Sequence, residues 1–127
     1  MIQYVDSTNT LTEYDRLAVA LRTAFRCRSE TEIAERIQAA ESAGVPSEDL
    51  AALTENPPGT YQDCGRDFLA RAVDELIDDM IISEEHWQTL GAHYRDEQIM
   101  DIVFATATQL MICWMQNAFG IASAGEK

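Results

Sequence analysis

One helical turn after a glutamate, the sequence places an arginine, a residue type that suits the binding of a small anion. Glu32 and Arg36 stand four positions apart in a stretch with helical spacing, so their side chains are neighbours on one helix face. Arginine stays protonated near neutral pH, so Arg36 cannot shuttle a proton, but its donors can bind a carboxylate. The alternative is a rim ion pair between Glu32 and Arg36 that contributes about a few tenths of a kcal/mol.

The only two histidines, His86 and His93, are candidates for general acid or base chemistry. Their spacing places them on one face if the helix that carries them is continuous, with a separation of about 10 Å. That distance is too long for two ligands of one metal ion, so no zinc site is predicted. The alternative for each histidine is a surface or capping role near a helix end.

The cysteines, Cys27, Cys64 and Cys113, are odd in number and form no C-x-x-C motif. This pattern favours reduced thiols in a cytoplasmic protein, and the first ten residues lack the features of a secretory signal. There is no glycine-rich phosphate loop and no nucleophile elbow, so no cofactor is predicted.

Charge argues against nucleic acid and anionic membranes as partners. The 127 residues form a single predicted domain and carry 22 acidic against 9 basic side chains, a formal net charge of -13. The most apolar run, residues 99–121, is interrupted by polar residues, which favours a helix buried in protein over a membrane span. These polar residues are Asp101, Gln109, Gln116 and Asn117.

Apolar residues recur at helical spacing along nearly the whole chain, which predicts an all-α fold. The fourth predicted helix turns Asp74, Asp78 and Asp79 towards solvent. A segment with two adjacent prolines, residues 56–60, is the one clear loop. The predicted helices cover about residues 12–26, a second segment between Ser29 and Gly44, a third from a Ser47 cap to residue 53, residues 62–80, residues 84–92 after a Ser83 cap, and residues 97–119.

Two local contacts follow from these helices. Ser29 and Glu32 have the spacing of a capping box, in which the hydroxyl and the carboxylate each accept from an orphaned backbone N–H. Asn117 is an amide inside an apolar helix and needs a partner, so it is predicted to bind a neighbouring backbone group.

The last helix is apolar around most of its circumference. Its large side chains, among them Phe104, Leu110, Ile112 and Trp114, do not fit on one stripe. A domain of this size has little room to cover all of those faces, so a homo-oligomer is predicted. The alternative is a central helix that the other five surround.

Two long segments resemble one known family. Residues 11–45, LTEYDRLAVALRTAFRCRSETEIAERIQAAESAGV, and residues 82–121, in which a Trp-x-x-Leu helix leads into a helix that ends Asn-Ala-Phe-Gly, are similar to the carboxymuconolactone decarboxylase-like superfamily. That superfamily also holds the alkylhydroperoxidase D proteins. The resemblance implies an alkylhydroperoxidase D-like helical domain that assembles as a trimer or hexamer.

The same resemblance bears on the chemistry. The dithiol positions of the family's peroxidases fall on Ser29 and Glu32, the relay histidine on Arg36 and the relay glutamate on Leu17. Cys27 lies just before this motif without its partner thiol. A thiol peroxidase is therefore not expected.

The functional expectation is a cofactor-free lyase of the carboxymuconolactone decarboxylase type, acting on a small carboxylated lactone or related anion. Arg36, beside Glu32, would hold the carboxylate, and His86 or His93 would supply a proton. The alternative is a family member that has lost catalysis and serves as an oligomeric binding or structural protein.

Overall fold

The computed structural model describes residues 11–55 and 67–119, which fold into six α-helices without a strand. The all-α prediction is confirmed. The predicted loop at residues 56–60, the start of the predicted fourth helix and Gly120, the last residue of the Asn-Ala-Phe-Gly motif, lie outside the described residues. The helices are α1 (Glu13–Arg26), α2 (Glu30–Ser42), α3 (Ser47–Leu53), α4 (Asp67–Asp79), α5 (Glu84–Gly91) and α6 (Asp96–Phe119).

Helix α1 is the element around which the others pack. It contacts α2, α3, α4 and α6, and its small and branched residues face two apolar clusters. Val19 belongs to a cluster with residues of α4 and α6, whereas Leu21 belongs to a cluster with residues of α2, α3 and α4. Two faces of one amphipathic helix therefore join the two halves of the core.

Side-chain caps begin α1 and α5, whereas α3 begins without one. Thr12 Oγ1 accepts from the Asp15 backbone N–H (3.1 Å), and Ser83 Oγ accepts from that of His86 (3.3 Å). The prediction that Ser47 caps α3 is wrong, because Ser47 is already helical and Pro46 is the cap residue. The Pro46 carbonyl accepts the first helical bond, from the Leu50 N–H at 3.2 Å.

The Ser29 capping box is only half formed. Ser29 Oγ accepts from the Glu32 backbone N–H (3.4 Å), as predicted. The Glu32 carboxylate does not complete the box, because it turns towards α6 and accepts from an amide of that helix. A tertiary contact has replaced the local one.

A fully buried arginine braces α1 against α3 and α4. Arg22 Nε and Nη2 each donate to Asp74 at 2.8 Å, and Nη1 donates to the backbone oxygens of Leu53 and Glu55. Arg26 forms a second ion pair with Asp74 at 2.9 Å. The prediction that Asp74 faces solvent is therefore wrong, because a buried guanidinium requires a paired carboxylate.

Helix α6 turns several polar side chains inward and exposes large apolar side chains on its outer face. Asp101 and Gln109 are buried, and Gln116 and Asn117 bind groups near the start of α2. The outer face exposes six large apolar side chains: Met100, Met111, Ile112, Trp114, Met115 and Phe119.

Helix α6 is the one helix within residues 11–55 and 67–119 that is long and apolar enough to cross a membrane, judged by length and composition alone. Of its apolar window, 33% is buried inside the domain. The core helix of a soluble protein meets the same two criteria, so the absence of a membrane partner stays a prediction.

Candidate functional site

A buried carboxylate on α2 is the centre of a polar cluster between α2 and α6. The Glu32 side chain is 5% exposed. Its Oε1 accepts from Gln109 Nε2 (2.6 Å) and its Oε2 from Gln116 Nε2 (3.1 Å). Two amide donors thus compensate for the loss of water around this carboxylate.

Arg36 lies at the edge of this cluster, in two long ion pairs. Its Nε is 3.8 Å from Glu32 Oε1, and its Nη2 is 3.7 Å from Glu35 Oε1. The side chain is 31% exposed, yet the Nε atom is buried and makes no hydrogen bond within the described part of the chain. Arg36 is thus neither in open solvent nor saturated by its carboxylate neighbours, and its fork of donors has capacity for another acceptor.

Two further contacts hold the end of α6 against the loop between α1 and α2. Ser29 Oγ donates to Gln116 Oε1 (2.9 Å), which directs the amide nitrogen of Gln116 towards Glu32. Asn117 Nδ2 donates to the backbone oxygen of Cys27 (3.1 Å). The prediction that Asn117 binds a neighbouring backbone group is confirmed.

The same junction brings two cysteines together. Cys27 is half-buried at the end of α1, and Cys113 is fully buried on α6. The neighbouring Cys27 thiol is the largest cause of a lowered pKa for Cys113, to about 7, and the Cys113 thiol is the largest cause of a raised pKa for Cys27, which burial raises further. Cys27 lacks the partner that a C-x-x-C motif would supply, but the fold supplies one from α6.

The histidines lie on other elements. His86 Nδ1 is 2.8 Å from Glu75 Oε1, so its partner is a carboxylate of α4. Helix α5 ends at Gly91 and His93 is an exposed residue of the following turn, so the predicted common helical face does not exist. Helix α5 packs against α4 and α6, whereas α2, which carries Arg36, packs mainly against α1 and α3 and meets α6 through Glu32. No contact brings His86 to Glu32 or Arg36.

The contact of Glu75 with α5 predicts a pH-dependent stability. The Ser83 backbone N–H donates to Glu75 Oε1 at 2.7 Å, and this bond, with His86, holds the pKa of Glu75 below its ordinary value of 4.5. A carboxyl group whose pKa is lower in the folded than in the unfolded chain stabilises the fold when the pH is above the unfolded pKa. This stabilisation is lost as the pH falls through the folded pKa. Urea unfolding should therefore show that Glu75→Gln lowers stability at about pH 6 and has progressively less effect below about pH 4.

The matched control is Glu41→Gln, which removes one negative charge from an exposed position on α2. An effect of Glu75→Gln that has the same size at every pH would contradict the proposed origin of the stabilisation.

Three residues of this cluster were not among the predicted site residues. Gln109, Cys113 and Gln116 follow the helical spacing i, i+4, i+7 and therefore share one face of α6. In the sequence, the glutamines were evidence only that α6 was too polar for a membrane span. The signal that would have found the cluster is polar side chains repeated on one face of an otherwise apolar helix.

Comparison with known proteins finds no matching family model, no significantly similar curated protein and no significantly similar solved structure. The carboxymuconolactone decarboxylase-like resemblance therefore stays a prediction. Within residues 11–55 and 67–119, no three His, Cys, Asp or Glu side chains are grouped so that they could hold a metal ion.

Proposed function

We propose that the Glu32 and Arg36 cluster binds a small carboxylated molecule and that the protein is a cofactor-free lyase of the carboxymuconolactone decarboxylase type. The observation that carries this proposal is the buried Nε of Arg36, which makes no hydrogen bond although a buried carboxylate lies 3.8 Å away. A guanidinium with spare donors at a partly enclosed position suits a planar anion.

The proposed roles follow from how deeply each side chain is buried. Arg36 holds the substrate carboxylate, which takes the place of the exposed Glu35 at the guanidinium edge. Glu32 is the proton-transfer group, because it is the buried titratable residue beside Arg36. The histidine roles are not part of this proposal, since His86 is bound to Glu75. The substrate class, a small lactone or related anion, comes from the resemblance alone.

Replacement of Arg36 tests this assignment. Arg36→Ala is expected to weaken the binding of a small anionic ligand by about tenfold to a hundredfold, because one charge-assisted contact is lost. Calorimetry with a panel of small lactones and dicarboxylates measures the affinities. Unfolding by urea should change by less than about 1 kcal/mol, since the ion pairs of Arg36 are long and partly exposed.

The control is Arg16→Ala, which removes an exposed arginine from α1 and leaves the cluster intact. A ligand that binds the parent protein and Arg36→Ala with equal affinity would remove Arg36 from the site. Equal losses in Arg36→Ala and Arg16→Ala would show that net charge, rather than this site, governs binding.

A second candidate function, an oligomeric binding or structural protein, is favoured by the outer face of α6. This face exposes large apolar side chains, and residues 102–119 contain no charged side chain in a chain of net charge -13. Identical copies repel one another through most of their surface, so an uncharged apolar face is the surface best suited to self-association. The occupant we propose is a second copy of this chain, in a trimer or hexamer as the resemblance implies.

A further inference from the structure

The two cysteines at the junction of α1 and α6 suggest chemistry that differs from carboxylate binding. We propose that Cys27 and Cys113 form a redox-active dithiol that exchanges with the disulfides of small thiols. This inference does not rest on the lyase proposal, since neither thiol has a role in it.

Contacts on both sides of the thiols fix their approach. Asn117, one helical turn beyond Cys113, donates to the backbone oxygen of Cys27 at 3.1 Å. Ser29, two residues beyond Cys27, donates to Gln116 at 2.9 Å. The backbone that carries Cys27 is therefore held against the turn of α6 that carries Cys113, which makes the two thiols neighbours.

The two sulfurs differ in access and in charge. Cys27 is half-buried and can be reached from solvent, whereas Cys113 is fully buried. The neighbouring Cys27 thiol lowers the pKa of Cys113 to about 7, whereas Cys113 and burial raise the pKa of Cys27. Gln109 Nε2 donates to Cys113 Sγ at 3.7 Å and lowers the pKa of Cys113 further. Near neutral pH, Cys113 is therefore the sulfur that ionises first.

The exchange proceeds in two balanced steps. The Cys113 thiolate takes the proton of Cys27 as Cys27 Sγ attacks one sulfur of the small disulfide, whose S–S bond breaks and releases one small thiolate. Cys113 then loses its proton and attacks Cys27 Sγ, and the second small thiolate leaves as the protein disulfide forms. The two cysteines together give up two electrons and one proton, and a second proton from solvent completes the conversion of the small disulfide into two small thiols.

The spacing of the cysteines in the sequence makes it possible to distinguish disulfide formation in the folded protein from oxidation of an unfolded chain. Cys27 and Cys113 are 86 positions apart, so an unfolded chain seldom brings them together. The folded chain holds the two thiols close together, so the effective concentration of one thiol near the other is much higher than in the unfolded chain. Disulfide formation that depends on the fold is therefore the property to measure.

The experiment oxidises a Cys64→Ser variant with oxidised glutathione, first folded and then unfolded in urea. Mass spectrometry of a tryptic digest under non-reducing conditions detects the cross-link, because cleavage after Arg26 and Arg95 places Cys27 and Cys113 in separate peptides. The expected result is a loss of two hydrogen atoms and a linked peptide, at least about tenfold more abundant from the folded chain. Reduction with excess dithiol should restore the original mass.

Single substitutions in the same background test the division of roles. Cys113→Ser should accumulate a glutathione adduct on Cys27, because no second thiol resolves it. Cys27→Ser should acquire far less adduct, because Cys113 is buried. Circular dichroism verifies that both variants are folded. A lasting glutathione adduct on Cys27 in the folded Cys64→Ser protein, or a linked peptide equally abundant from the unfolded chain, would overturn the proposal.

Discussion

Replacement of the buried Arg22 by methionine is expected to lower the free energy of unfolding by about 3 to 5 kcal/mol, the usual cost of removing one partner of a buried ion pair. Methionine fills part of the space but donates to nothing. The Asp74 carboxylate and the carbonyls of Leu53 and Glu55 would lose their donors from Arg22. Urea unfolding followed by circular dichroism measures the change.

Arg26→Met is the matched control for this substitution. Arg26 also contacts Asp74, but its side chain is 18% exposed and its second partner, Asp78, is 56% exposed. Its loss should cost no more than about 1 kcal/mol. The double variant Arg22→Met, Asp74→Leu should recover much of the stability lost in Arg22→Met, because no buried charge is left unpaired. Equal effects of Arg22→Met and Arg26→Met would contradict the bracing role of Arg22.

The second large effect concerns assembly through α6. Light scattering of the parent protein at micromolar concentration should report a multiple of the 14.2 kDa chain mass. Trp114, 61% exposed in the isolated chain, lies on the outer face of α6. Trp114→Glu should raise the dissociation constant by at least about thirtyfold, because a large apolar anchor is lost and a carboxylate is forced into the contact.

Trp87→Glu is the control for this experiment, since Trp87 is 44% exposed but lies on α5. It should leave the assembly unchanged. A parent protein that scatters as a single chain would contradict self-association, and an equal effect of the two tryptophan substitutions would move the contact away from α6.

Local patterns in the sequence were sufficient for the helices and some of their caps. Ser83 was recognisable as a cap because its hydroxyl needs only a backbone N–H three residues away. Asn117 was predicted to bind backbone because an amide on an apolar helix cannot remain unpaired. Contacts between residues that are distant in the sequence could not be predicted from local patterns. Arg22 and Asp74 are 52 positions apart, and each is of a residue type that usually lies on the surface.

The candidate site shows the same division. The proximity of Glu32 and Arg36 follows from their spacing on one helix. The burial of Glu32 depends on Gln109, which is 77 positions away, and no local sequence pattern predicts that contact. The expected common helical face of His86 and His93 does not form for a simpler reason, since α5 ends before His93.

Gln109 donates to both Glu32 and Cys113, so one amide side chain touches the proposed carboxylate site and the proposed dithiol. The charge of Arg36 also lowers the pKa of Cys113, whereas that of Glu32 raises it. An anion bound at Arg36 would offset that positive charge and disfavour the thiolate. Thermodynamic reciprocity then requires the thiolate to weaken anion binding by the same factor. The two sites would therefore behave as an antagonistic pair: ionisation of Cys113 weakens the affinity for the acid, and disulfide formation, which removes the thiolate, restores it.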